Sequence, residues 1–72
     1  MADERLEDLR ARLDAIAEEI ADLGHARLKE AIRTGSAKAT ADERRLSRAR
    51  RSVMKAAVLL GGGDDADDGD GP

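Results

Sequence analysis

Leu6, Leu9, Leu13, Ile16, Ile20 and Leu23 follow one another at steps of 3, 4, 3, 4 and 3 residues. That spacing puts all six on one stripe of an α-helix and matches the a/d seam of a coiled coil. It rules out a strand over the same residues, because period-2 alternation would scatter them over both faces of a sheet. Asp3 is the expected N-cap, and Glu4, Glu7 and Asp8 suit the positive end of the helix dipole. Asp8 and Arg12 are four apart, an ion-pair spacing on the outer surface.

Beyond Leu23 the stripe moves. Leu28 and Ile32 follow at steps of five and four, about a quarter turn round the helix, and Gly24 sits at the shift. Glycine in a helix interior costs about 1 kcal/mol relative to alanine, so the position marks a bend or a seam passed to another neighbour. The first helix is expected over about 3–33, with Gly35 as its C′ residue. Thr40-x-x-Glu43 fits a capping box, so 34–40 reads as a connector and a second helix is expected over about 41–60. Its inner positions are Leu46, Ala49, Val53, Ala56 or Ala57, and Leu60. Residues 61–72 are rich in glycine and aspartate and are expected to form a disordered acidic tail.

The fold class is therefore all-α: an antiparallel two-helix hairpin, coiled-coil-like, over 1–60. From the connector outward, Leu28 is expected to meet Leu46, Leu23 to meet Val53 and Ile16 to meet Leu60. Leu6, Leu9 and Leu13 would then overhang helix two with nothing to cover them. A 72-residue chain without cysteine or aromatic residues has few ways to stabilise itself. Assembly into a dimeric helical bundle through the leucine seam answers both problems.

The net charge of −3 conceals three blocks. Residues 1–23 carry −5, residues 24–60 carry +7 and residues 61–72 carry −5, with His25 taken as neutral. On a wheel with Leu46 at 0°, Arg44, Arg48, Arg51 and Lys55 fall between about 140° and 200°, directly away from the hairpin core. This basic stripe is a candidate for charge recognition by an acidic protein surface or by phosphates. Nine residues beyond Gly63 span up to roughly 30 Å when extended, so the acidic tail could reach along the stripe.

Catalysis requires a concave site with converging groups, and a hairpin offers little concavity. No enzyme activity, catalytic residue, metal, cofactor or small-molecule substrate is expected. A lone histidine, His25, cannot assemble a zinc site with cysteine absent, and it reads as a surface or interfacial residue. "GGG" neither follows a strand nor opens a helix, so it is no phosphate loop. The opening residues are charged from the third position and no apolar run approaches a membrane span, so a cytoplasmic protein is expected.

Glu43-x3-Ser47-x2-Arg50 resembles the opening of the E-x3-S-x2-R-x3-Q-x3-D signature. That signature belongs to a helical-hairpin anti-sigma factor family of actinomycetes that binds cyclic-di-GMP. Met54 and Val58 stand where the signature has glutamine and aspartate. The resemblance implies a coiled-coil regulator of transcription as a class. The residues themselves support a helical interaction or regulatory module, working as a homodimer or with a helical partner, without membrane contact. Association would fall to Leu6, Leu9, Leu13, Ile16, Ile20 and Leu23. The alternative is a nucleic-acid-associated protein using Arg44, Arg48, Arg51 and Lys55, with the acidic tail as self-competitor.

Overall fold

The computed structural model describes residues 2–62, with side chains from residue 4 onward. It contains two helices, α1 (Ala2–Thr34) and α2 (Ala37–Leu60), packed against each other, with no strand among the described residues. The expected acidic tail lies outside the described residues from Gly63 onward.

Helix α1 begins at Ala2, so Asp3 lies inside its first turn instead of capping it. The helix runs unbroken through Gly24. Ion pairs along its outside follow helical spacing, with Arg12 2.9 Å from Asp8 and Arg33 2.6 Å from Glu30. Exposed pairs of this kind contribute only a few tenths of a kcal/mol each. The end is set by Gly35, whose φ of +72° bends the chain away while its N–H reaches the Ala31 carbonyl at 2.7 Å. That is the single-bond left-handed C-terminal motif, which a residue without Cβ adopts cheaply.

The connector is two residues, Gly35 and Ser36, and not 34–40. Ser36 caps α2: its Oγ accepts from the Ala39 N–H at 3.0 Å, and its carbonyl accepts from the Thr40 N–H at 3.2 Å. Thr40, expected as the cap, lies one turn inside the helix and donates its hydroxyl to the Ser36 carbonyl at 3.2 Å. The physical reason is that starting at Ala37 adds a full turn of backbone hydrogen bonds from good helix formers and buries Ala39. At the far end Gly62, at φ +80°, returns its N–H to Leu59 and closes α2.

The shorter connector moves the whole register. Gly24 faces Leu46, Arg27 Nε lies 3.9 Å from an Asp42 carboxylate oxygen, and Arg10 lies over Gly61. The three pairs are centred on Gly35, whereas the expected pairs were centred two to three residues later. Leu60 is therefore about level with Arg10, not Ile16, and shares a depression with Leu6, while Val53 is level with Ala17 instead of Leu23. Leu28 does share a notch with Leu46. The overhang of Leu6, Leu9 and Leu13 is shorter than expected: Leu13 packs half-buried, whereas Leu6 and Leu9 stay exposed near the end of α2, Leu6 sharing a depression with Leu60, Gly61 and Gly62.

The most buried side chains are small: Ala17, Ala39 and Ala57, each 5% exposed or less. Leu13, Ile20, Leu46, Val53 and Leu60 pack around them half-buried. No large side chain is fully buried among the described residues.

Candidate interaction surfaces

Alanine and glycine let two helices approach closely, and here they decide which side of α1 meets α2. The contact stripe on α1 runs through Leu6, Arg10, Leu13, Ala17, Ile20 and Gly24. At 100° per residue, Leu9, Ile16 and Leu23 lie about 80° to 120° round from Ala17. The six-residue leucine seam is thus split into two columns. Leu13 and Ile20 turn toward α2 and are half-buried, Leu6 lies on the same stripe but stays 39% exposed at the end of α2, and Leu9, Ile16 and Leu23 remain 37%, 45% and 49% exposed.

The Arg27–Asp42 pair shows which flank of α2 lies beside the outer column. Arg27 shares the angular position of Leu9, and Asp42 lies on the same side of α2 as Ala49, Ala56 and Leu60. One broad face of the hairpin therefore presents Leu9, Ile16 and Leu23 next to a shallow row of alanines. Charge enters it through the Arg27–Asp42–Lys38 cluster near the connector.

The opposite face is mixed. A notch of about 210 Å³ lies between the helices, lined by Ala21, Gly24, His25, Leu28, Glu43, Leu46, Ser47 and Arg50 among others. It exists because Gly24 projects nothing toward Leu46; a Cβ built there would stand 3.9 Å from the Leu46 Cβ. Ser47 Oγ donates to the Glu43 carboxylate at 3.4 Å. Glu43, Ser47 and Arg50, singled out by their spacing, thus share this notch with His25. Further along, Met54 and Val58 stand 42% and 49% exposed beside Arg10 and Asp14.

Arg44, Arg48 and Arg51 surround one shallow depression with Glu43 and Ser47, and Lys55 follows one turn later. All four cations are exposed, and none forms an ion pair with a carboxylate among the described residues. Whether the tail covers them falls outside the described residues.

Arg10 carries a role that helical periodicity gave no sign of. It lies on the contact stripe, with its Cδ 3.0 Å from where a Cβ on Gly61 would be. Helix α2 has no basic residue in its own last turn, so Arg10 brings a cation to the negative end of its dipole. The hydrogen bond that Arg10 donates to the Glu7 carboxylate, then the charges of Glu7 and Asp14, raise the Arg10 pKa above its ordinary value. Stability from a raised cation persists at every pH below its ordinary range, so this cluster adds no pH dependence near neutrality through Arg10.

Among the described residues no group of three or more histidine, cysteine or acidic side chains is placed to hold a metal ion. No described helix is long and apolar enough to cross a membrane. Comparison with protein-family models, curated proteins and solved structures found no match to this chain.

Proposed function

We propose that this chain is a non-enzymatic helical-hairpin association module of the cytoplasm, serving an interaction or regulatory role. It docks the Leu9, Ile16 and Leu23 flank against another helical surface. The observation that carries this reading is the pairing of an alanine core with an outward column of large aliphatics at heptad spacing. Two helices cannot bury both columns of the seam, and side chains already about half covered still gain about 1 kcal/mol each when the rest is covered. A photocrosslinking benzophenone amino acid placed at position 16 tests it in living cells. One discrete adduct is expected there, with none from position 48 on the polar outer side. Failure to form any adduct at position 16 would dispose of the reading.

A second reading is favoured by the convergence of Arg44, Arg48 and Arg51 on one depression. Phosphate oxygens of a nucleic acid would satisfy these cations, with affinity falling steeply as salt rises. A chain ending at Gly63 keeps the Gly62 closure of α2 and removes every acidic residue of the tail. It should shift duplex DNA in a native gel at low salt if this reading holds, and Arg48→Glu with Arg51→Glu should abolish the shift.

A further inference from the structure

We infer that the occupant of the apolar face is a second copy of this chain, laid α1 on α2 about a two-fold axis parallel to the helices. The inference rests on the association reading above and adds the identity, orientation and register of the partner.

The argument begins with size complementarity. The outer column of α1 is large, through Leu9, Ile16 and Leu23, while the matching flank of α2 is small, through Ala49, Ser52 and Ala56. Placing α1 on α2 of the second copy sets large against small at both contacts. Placing α1 on α1 would set leucine against leucine at one contact and alanine against alanine at the other. Interaxial distances follow side-chain size over about 8–10 Å, so that alternative splays the bundle.

Register supplies the second argument. Rotation about an axis parallel to the helices moves no residue along it, so the contact inherits the centring on Gly35 already present within the hairpin. Ile16 then points between Ala49, Ser52, Val53 and Ala56 of the second copy. These four are spaced as a knob-into-hole site requires, at i, i+3, i+4 and i+7. Seven residues away, Leu23 falls between Arg45 and Ala49. Leu9 reaches the C-terminal end of α2 beside Leu60, where the helix no longer supplies a full hole. Ile16 and Leu23 find holes without any adjustment of register.

Charge along the contact is mixed, and area is sufficient. Glu19 comes within about one turn of Arg48 on the second copy and Glu30 within about one turn of Lys38, opposite charges at the rim, while Arg27, already paired with Asp42 of its own hairpin, comes near Arg45 of the second copy. A face as long as α2, about 36 Å, and about 20 Å wide covers roughly 700 Å² per copy. Two such faces reach the size of a stable protein–protein interface, about 1,200–2,000 Å² in total.

The chain has no cysteine, so introduced thiols report contacts without background. The test oxidises Ile16→Cys/Ser52→Cys in the full chain and compares it with each single variant. The double variant should give covalent dimer roughly tenfold above either single variant, since only the α1-on-α2 contact brings these Cα atoms within the ~7 Å that a disulfide spans. Within one hairpin the two positions sit on neighbouring helices, too far apart to bridge. Leu23→Cys/Arg45→Cys, one heptad away, provides an independent second pair in case loss of Ile16 weakens assembly.

Covalent dimer from Ile16→Cys alone overturns the arrangement in favour of α1 on α1. A dimer by sedimentation equilibrium that neither pair captures also overturns it. So does a monomer at about 100 µM, well above the dissociation constants common for an interface of this size. The position-16 photo-adduct separates the two proposals. An adduct heavier or lighter than twice the chain keeps the association reading and removes the second copy as its partner.

Discussion

At the scale of single residues, three small side chains govern the fold through different physics. Gly35 accepts a left-handed backbone, so Gly35→Ala should destabilise the hairpin by about 1–2 kcal/mol, seen as a lower urea midpoint. Thr40 was the cap expected from the sequence, but it is Ser36 whose side chain takes the bond from an orphan amide. Ser36→Ala should therefore cost about 1 kcal/mol and Thr40→Ala clearly less; the reverse order in thermal melts would contradict the observed cap. Gly24 has room for a methyl group at ordinary contact distance from Leu46. Gly24→Ala is expected to raise stability by about 0.5–1 kcal/mol through helix propensity alone. The Thr40-x-x-Glu43 spacing pointed to Thr40 and not to Ser36. Choosing between them depended on the burial of Ala39, which local chemistry does not reveal.

At the scale of elements, α1 was legible because its periodicity extends over six large residues and no competing period exists. Its two columns were not separable by that pattern, since a and d positions look alike until a neighbour arrives. Their roles now differ in a measurable way. Leu13→Ala and Ile20→Ala remove contacts to α2 and should lower hairpin stability by about 1–3 kcal/mol, less than in a sealed core because both are only half-buried. Leu9→Lys with Leu23→Lys should leave circular dichroism at low concentration nearly unchanged while reducing self-association. A matching loss of helicity in both sets would mean that the columns are not distinct. Ala57→Leu should force the helices apart, at a cost of about 1–3 kcal/mol.

At the scale of the whole molecule, the elongated shape follows from having only two helices. The long axis is 49 Å, close to the length of α1 itself. Such a shape leaves Leu9, Ile16, Leu23, Leu6, Leu28, Ile32, Met54, Val58 and Leu59 exposed, and they are spread over different faces. Only the first three form a heptad column. If that column is covered by a second copy, the melting temperature should rise with chain concentration, by mass action on the dimer. A melting temperature independent of concentration over a hundredfold range would contradict self-association.

By itself the sequence determined that the chain is helical, that α1 carries a heptad stripe, that Gly35 ends it and that α2 has a basic outer side. These properties depend on neighbours within a few residues, through periodicity, propensity and caps. Tertiary structure alone decided the centring of the hairpin on Gly35, the placing of Arg10 over Gly61 and the gathering of Glu43, Ser47, Arg50 and His25 into one notch. It also decided that Leu13 and Ile20 turn inward while Leu9, Ile16 and Leu23 stay out. The reason is that close approach is set by matching small residues across two helices, and no stretch of one helix contains that information.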